Sequence, residues 1–233
     1  MTRALTTLGF DADDTLWQNE HFFHLTRATY YDLLKDHADP NVLATRLDET
    51  ERRMLKIYGF GAKGFVLSMI ETAIAVTDGK VPASVIAQVL ENGRGMLTHP
   101  VELLPGVRET VEGLVGRYRL VLVTKGDLFH QESKLAASGL GDLFDGIEIV
   151  SDKNRATYER VFARHGDGPE RAMMIGNSLK SDVLPAIEAG GWGVFVPHDL
   201  TWSVEHAEEP TGNPRFRKID NLGQLGDVIA SIE

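Results

Sequence analysis

Ala4-Leu5-Thr6-Thr7-Leu8-Gly9-Phe10 leads directly into Asp11-Ala12-Asp13-Asp14-Thr15-Leu16. An apolar run that ends on clustered acids reads as a buried strand with its polar residues at the carboxyl end. The pattern recurs. Tyr118–Val123 runs into Thr124-Lys125-Gly126-Asp127, Ile147–Val150 into Ser151-Asp152-Lys153, Ala172–Ile175 into Gly176-Asn177-Ser178, and Trp192–Val196 into Pro197-His198-Asp199. Helical patterns fill the intervals at Val107–Leu114, Leu128–Ala137, Thr157–Arg164 and Ser181–Ala189. A short strand near Phe216–Ile219 and a terminal helix at Gly223–Ile232 close the chain. Strands alternating with helices predict βαβ units, hence an α/β fold with a doubly wound parallel sheet. Ligands of such sheets sit at the carboxyl ends of the strands. Asp11, Asp13, Thr124, Lys153, Asn177 and Asp182 are all expected on that edge.

Between Asn19 and Thr98 the rhythm stops. This stretch reads as helical almost throughout, with breaks at Asp39-Pro40, Gly59–Gly64 and Thr77–Pro82 and no strand signal. The expected organisation is a core domain of residues 1–16 and 99–233 interrupted by an all-α cap domain of residues 17–98. The glycine-rich break Tyr58-Gly59-Phe60-Gly61-Ala62-Lys63-Gly64-Phe65 reads either as a loop that closes over the site or as a plain interhelical connection. No strand precedes it, so it is not a phosphate-binding glycine loop. His21, His24 and Tyr30 read as core or surface residues, Trp17 as packing, and the run Glu205–Glu209 as a solvated face.

The 233 residues are 42% hydrophobic and 25% charged, a balance that excludes a largely disordered chain. The absence of cysteine excludes disulfides, thiolate metal sites and a cysteine nucleophile. The formal charge is 24 − 34 = −10, which argues against nucleic acid as a partner. No apolar run reaches the roughly twenty residues that cross a bilayer. Asp11, Asp13 and Asp14 stand where a secretory signal would be apolar. The expectation is a cytoplasmic protein, monomer or homodimer, with neither nucleic-acid nor membrane partners.

Carboxylates at i and i+2 on a loop leaving a strand can face one small volume. Like charges so close are costly unless a cation offsets them. A hard ion such as Mg²⁺ takes one or two carboxylates together with phosphate and water. The plainer reading of Asp13-Asp14-Thr15 is a turn and helix cap, with Thr15 as the cap.

With Thr124 after the second strand, Lys153 near the third and Gly176-Asn177-Ser178-Leu179-Lys180-Ser181-Asp182 after the fourth, the chain resembles the haloacid dehalogenase-like superfamily. The resemblance is to its phosphohydrolases with an α-helical cap, and it extends from about residue 4 to residue 197. It implies a Rossmann-like core and a Mg²⁺-dependent phosphatase acting on a small phosphorylated metabolite. It implies Asp11 as the nucleophile that becomes an aspartyl phosphate, and Asp13 as general acid and then base. Thr124, with the N–H groups of Lys125 and Gly126, would bind the phosphoryl oxygens, and Lys153 would offset their charge. Asp11, Asp13, Asn177 and Asp182 would surround the metal. The chain departs from the family pattern at Asn177, where Asp is usual, and at Asn154, where Pro often follows the lysine. A neutral amide should hold the ion less tightly. Lys125 is a rival for the role of Lys153. Two other readings stay open, a phosphomutase and a binding or regulatory protein without turnover.

Overall fold

A computed structural model describes residues 4–233. The chain divides into two compact units, one running to Glu20 and resuming at 101–125 and 131–233, the other comprising 21–100 and 126–130.

The first unit is built on six strands, β1 (Thr7–Phe10), β2 (Arg119–Lys125), β3 (Gly146–Val150), β4 (Ala172–Gly176), β5 (Trp192–Phe195) and β6 (Phe216–Lys218). They form one sheet in the order β3-β2-β1-β4-β5-β6, and every pairing is parallel. Successive strand residues point to opposite faces, and the two cores follow that alternation. Leu8, Phe10, Leu120, Leu122, Met173 and Ile175 pack on one face with Val107, Leu135, Leu225 and Ile229. Val121, Val123, Ala172 and Met174 pack on the other with Tyr158, Val161 and Phe162. Gly9 has no room for a side chain, because a Cβ there would sit 3.0 Å from Met174 Sδ. The doubly wound parallel sheet is thus present, with helices on both faces. No helix among the described residues is long and apolar enough to cross a membrane.

Each strand begins within three residues and ends within two of its predicted limits. Strand order reverses at β1, so the crevice expected for a ligand lies outside the carboxyl ends of β1 and β4. Asp11 follows β1 directly and Asn177 follows β4, and the two ends are tied by Asp11 N donating to Ile175 O at 2.9 Å.

The second unit holds four helices, α1 (Glu20–Leu34), α2 (Pro40–Tyr58), α3 (Ala62–Val76) and α4 (Ala83–Thr98). Asp39 caps α2 by accepting from Asn41 N, with Pro40 in the first turn, as the Asp-Pro break predicts. Tyr30, Leu34, Leu43, Leu47, Phe65, Met69 and Val89 form its core. The Tyr30 hydroxyl donates to Met69 O at 2.9 Å, while His21 and His24 are exposed. Residues 126–130, expected in the core domain, fall with the helices instead. Asp127 pairs with Lys63 at 2.9 Å, and Gly61 packs against its backbone. The insert also begins and ends a few residues later than the expected 17–98.

The remaining helices belong mainly to the sheet unit: α5 (Val107–Glu112), α6 (Leu128–Ser138), α7 (Arg155–His165), α8 (Leu184–Glu188) and α9 (Leu225–Ala230). The helix predicted over Ser181–Ala189 is interrupted at its start. Leu179–Val183 forms a wide turn in which Val183 N donates to Ser178 O, and α8 begins only after it. Such wide turns are uncommon and are frequently found at functional sites.

Candidate active site

Asp11, Lys153 and Asp182 meet at the carboxyl edge of the sheet. The Lys153 ammonium donates to Asp11 Oδ1 and, at 2.7 Å, to Asp182 Oδ1. All three side chains are buried, Lys153 to 2% exposure and Asp182 to 1%. Asp182 Oδ2 accepts from Ser178 N at 3.0 Å across the wide turn. Its seat requires Gly176, where a Cβ would lie 2.2 Å from Asp182 Oδ2.

Two buried carboxylates share a single ammonium, so one negative charge stays uncompensated. Burial and then the charge of Asp182 push Asp11 up to about 7, against the pull of Lys153. Burial alone would lower the lysine, but Asp11 and Asp182 outweigh it and hold its pKa above the ordinary range.

Asn177 reaches the same corner through Thr15. The Thr15 hydroxyl lies 3.3 Å from Asp11 Oδ2 and 3.4 Å from Asn177 Oδ1, and its oxygen accepts from Asn177 N at 3.0 Å. Thr15 therefore does not cap α1. Asp14 does, accepting from Asn19 N at 2.9 Å and Glu20 N at 3.0 Å. Asp14 manages this from a left-handed backbone, φ 58°, which short polar side chains tolerate.

Asp13 faces a different set of groups. Oδ1 accepts from Trp17 Nε1 at 2.7 Å and Lys134 Nζ at 2.5 Å, and Oδ2 from Gln131 Nε2 at 2.9 Å. Burial pushes this carboxyl up, but the Lys134 charge and the three hydrogen bonds outweigh it and hold the pKa below 3.8. Among the described residues no three His, Asp or Glu side chains are placed to hold a metal together. Asp11 and Asp182, with Asn177 through Thr15, share the corner, and the Asp13 charge is near enough to raise Asp11 further.

Thr124, buried at the end of β2, accepts from Gln131 Nε2 at 3.1 Å. The Lys125 ammonium, the rival to Lys153, is held by Ser181 Oγ at 2.7 Å and Glu205 Oε1 at 2.5 Å. Glu205 also accepts from the hydroxyls of Ser178, at 2.7 Å, and Ser181. Glu205 is therefore no solvated face. From the loop after β5 it clamps the loops after β2 and β4, and these donors lower its pKa against the effect of burial.

Gln131 and Lys134 were not singled out in the sequence, and Glu205 was read only as part of a solvated run. The spacing of Gln131 and Lys134, one helical turn apart on a helix that leaves a motif-bearing strand, was the available signal. Glu205 left none.

A parallel-sheet hydrolase core interrupted by a helical insert, with a buried Asp–Lys–Asp cluster at its switch point, defines the class. The family model for haloacid dehalogenase-like hydrolases matches residues 5–190, and the chain belongs to that family. A haloacid dehalogenase-like hydrolase from Xanthomonas campestris is 43% identical in sequence. It superposes with a TM-score of 0.89, over 99% of this chain and 93% of that one. A glyceraldehyde 3-phosphate phosphatase from Methanothermobacter thermautotrophicus is 25% identical over 234 residues, 97% of this chain and 100% of its own. The magnesium-bound putative hydrolase YfnB of Bacillus subtilis shares the fold at 19% identity, with a TM-score of 0.66 over 97% of this chain and 99% of that one.

Proposed function

We propose that this chain is a Mg²⁺-dependent phosphatase that cleaves a small phosphate monoester through a phosphorylated Asp11. The observation that carries the reading is the pair of buried carboxylates, Asp11 and Asp182, brought from separate strand ends to one ammonium and left with a net negative charge. A hard divalent cation suits that charge and the oxygen donors Asp11, Asp182 and Asn177. When bound, it would neutralise phosphoryl oxygens as charge builds on them. The Methanothermobacter relative is named for a small phosphorylated metabolite, and a substrate of that class is proposed here.

In the first step an Asp11 oxygen attacks phosphorus, the ester P–O bond breaks, and the leaving oxygen takes a proton from Asp13. In the second step water attacks phosphorus and gives its proton to Asp13, and the acyl phosphate P–O bond breaks to restore Asp11. Lys134, Gln131 and Trp17 hold Asp13 ionised, the form that the second step needs; for the first step Asp13 must take up a proton from solvent, which it then gives to the leaving oxygen. Lys153 and the Thr124 hydroxyl stabilise the phosphoryl charge in both steps. Release of p-nitrophenol from its phosphate ester, with Mg²⁺ and with EDTA, tests the reading. Mg²⁺-dependent turnover supports it. A folded chain that hydrolyses no member of a broad phosphate-ester panel supports instead a binding protein without turnover.

The neutral Asn177 should leave the metal loosely held. Asn177→Asp is expected to lower the Mg²⁺ concentration for half-maximal activity. An unchanged Mg²⁺ dependence would place residue 177 outside the coordination sphere.

Without metal, stability should depend on pH. Asp11 at about 7 and Asp14 at about 6, the latter raised by burial and then by Asp13, both stand above 3.8. A group whose folded pKa exceeds its unfolded value favours folding below the unfolded pKa and loses that contribution as pH rises through the folded one. His24, lowered chiefly by burial, works the opposite way but is exposed. Thermal melts in EDTA should therefore show Tm falling between about pH 5 and about pH 8, a fall that Mg²⁺ largely removes. A Tm that is flat or rising in EDTA would contradict the charge accounting.

A further inference from the structure

Gln131 lies on α6, three residues before Lys134, and is 3% exposed. Its Nε2 lies 2.9 Å from Asp13 Oδ2, 3.1 Å from Thr124 Oγ1 and 2.8 Å from Lys125 O, so its two hydrogens serve three oxygens and one hydrogen is shared. A carboxylate and a main-chain carbonyl accept only, so the amide must present its NH₂, and not its oxygen, to this cluster. Thr124 is the one member that can both donate and accept. Because the amide nitrogen that faces it cannot accept, the Thr124 hydrogen is left for a different acceptor.

The other end of the amide carries the second clue. Gln131 Oε1 is buried and has no partner among the described residues. A buried acceptor without a partner costs stability. A methionine or leucine would remove that cost together with the contacts of Nε2. What the amide holds together is Asp13 and Thr124.

We propose that Gln131 is a positioning residue that couples two strand ends: one amide turns the Thr124 hydroxyl hydrogen toward the phosphoryl oxygens and aims the Asp13 carboxylate at the oxygen that gains or loses a proton. The inference rests on the phosphatase reading above. A threonine hydroxyl rotates about its C–O bond and a carboxylate about its Cβ–Cγ bond. Fixing both before the substrate arrives avoids reorganisation when charge develops.

The test is steady-state kinetics of the full chain on p-nitrophenyl phosphate with Mg²⁺, for wild type, Gln131→Met, Thr124→Val and the double variant, with a thermal melt of each. Gln131→Met is expected to lower kcat by about thirtyfold or more, with KM within about threefold of wild type. Its Tm should stay within a few degrees of wild type. In the Thr124→Val background the same substitution should cost clearly less, because one of its two routes of action is already gone. Should Gln131→Met fail to fold, Gln131→Glu keeps the volume and removes both N–H donors, and the same loss of kcat is expected. A kcat within threefold of wild type overturns the inference, as does an equal fold-loss in both backgrounds. A wild-type chain that turns over no phosphate ester overturns the phosphatase reading and this inference with it. An active wild type with an unaffected Gln131→Met overturns this inference alone.

Discussion

Asn in place of Asp11 should cut phosphate release by at least about a thousandfold and leave the protein folded. An amide oxygen cannot form the acyl phosphate, so the chemical step loses its nucleophile. Removing a buried charge is often destabilising, but here the local balance runs the other way. Lys153 keeps its 2.7 Å contact with Asp182, and the corner changes from two carboxylates and one ammonium to one of each. The Asp11→Asn protein should therefore melt no lower than wild type in EDTA at about pH 8, where ionised Asp11 opposes folding. Activity within tenfold of wild type would remove Asp11 from the chemistry. A variant that is inactive because it has unfolded would show that the charge balance has been misjudged.

Lys153→Met should be the most damaging substitution for stability. It removes the one cation held by both Asp11 and Asp182 and leaves two carboxylates facing each other in a buried corner. Deleting one partner of a buried ion pair typically costs about 3–5 kcal/mol. The loss should be greatest at about pH 8 and shrink toward about pH 5, as a carboxyl in the corner takes up a proton. Urea unfolding at both pH values, without metal, measures it. A loss below about 1 kcal/mol at the higher pH would mean that water reaches the cluster. Turnover should vanish as well, since the same ammonium is placed to offset charge on the phosphoryl oxygens.

The sheet was legible in the sequence because its cause is local. Apolar runs of strand length, each ending in polar residues, reflect burial on both faces, and the helices between them enforce parallel pairing. Asp39-Pro40 was legible for the same reason, since proline's fixed φ and the cap of Asp39 act within one turn. Asp11, Lys153 and Asp182 could be assembled because each follows, or lies near, a recognisable strand end.

What escaped depends on where a side chain points once the chain has folded. Asp14 takes the capping role expected of Thr15, because the left-handed backbone at Asp14 turns its carboxylate toward the start of α1. Gln131 and Lys134 look like the polar stripe of any amphipathic helix until α6 is laid against the loop carrying Asp13. Glu205 sits in a polar tail, and only the path of the loop after β5 carries it to Lys125, Ser178 and Ser181.

The central claim is that Asp11 is transiently phosphorylated, and acid quench of the protein during turnover of a phosphate monoester tests it most directly. Peptide mass analysis of the quenched chain should show one phosphoryl group on the peptide containing Asp11, absent from Asp11→Asn. Phosphate release with no phosphoryl group on the chain at any time, or with the group on another residue, would contradict the account.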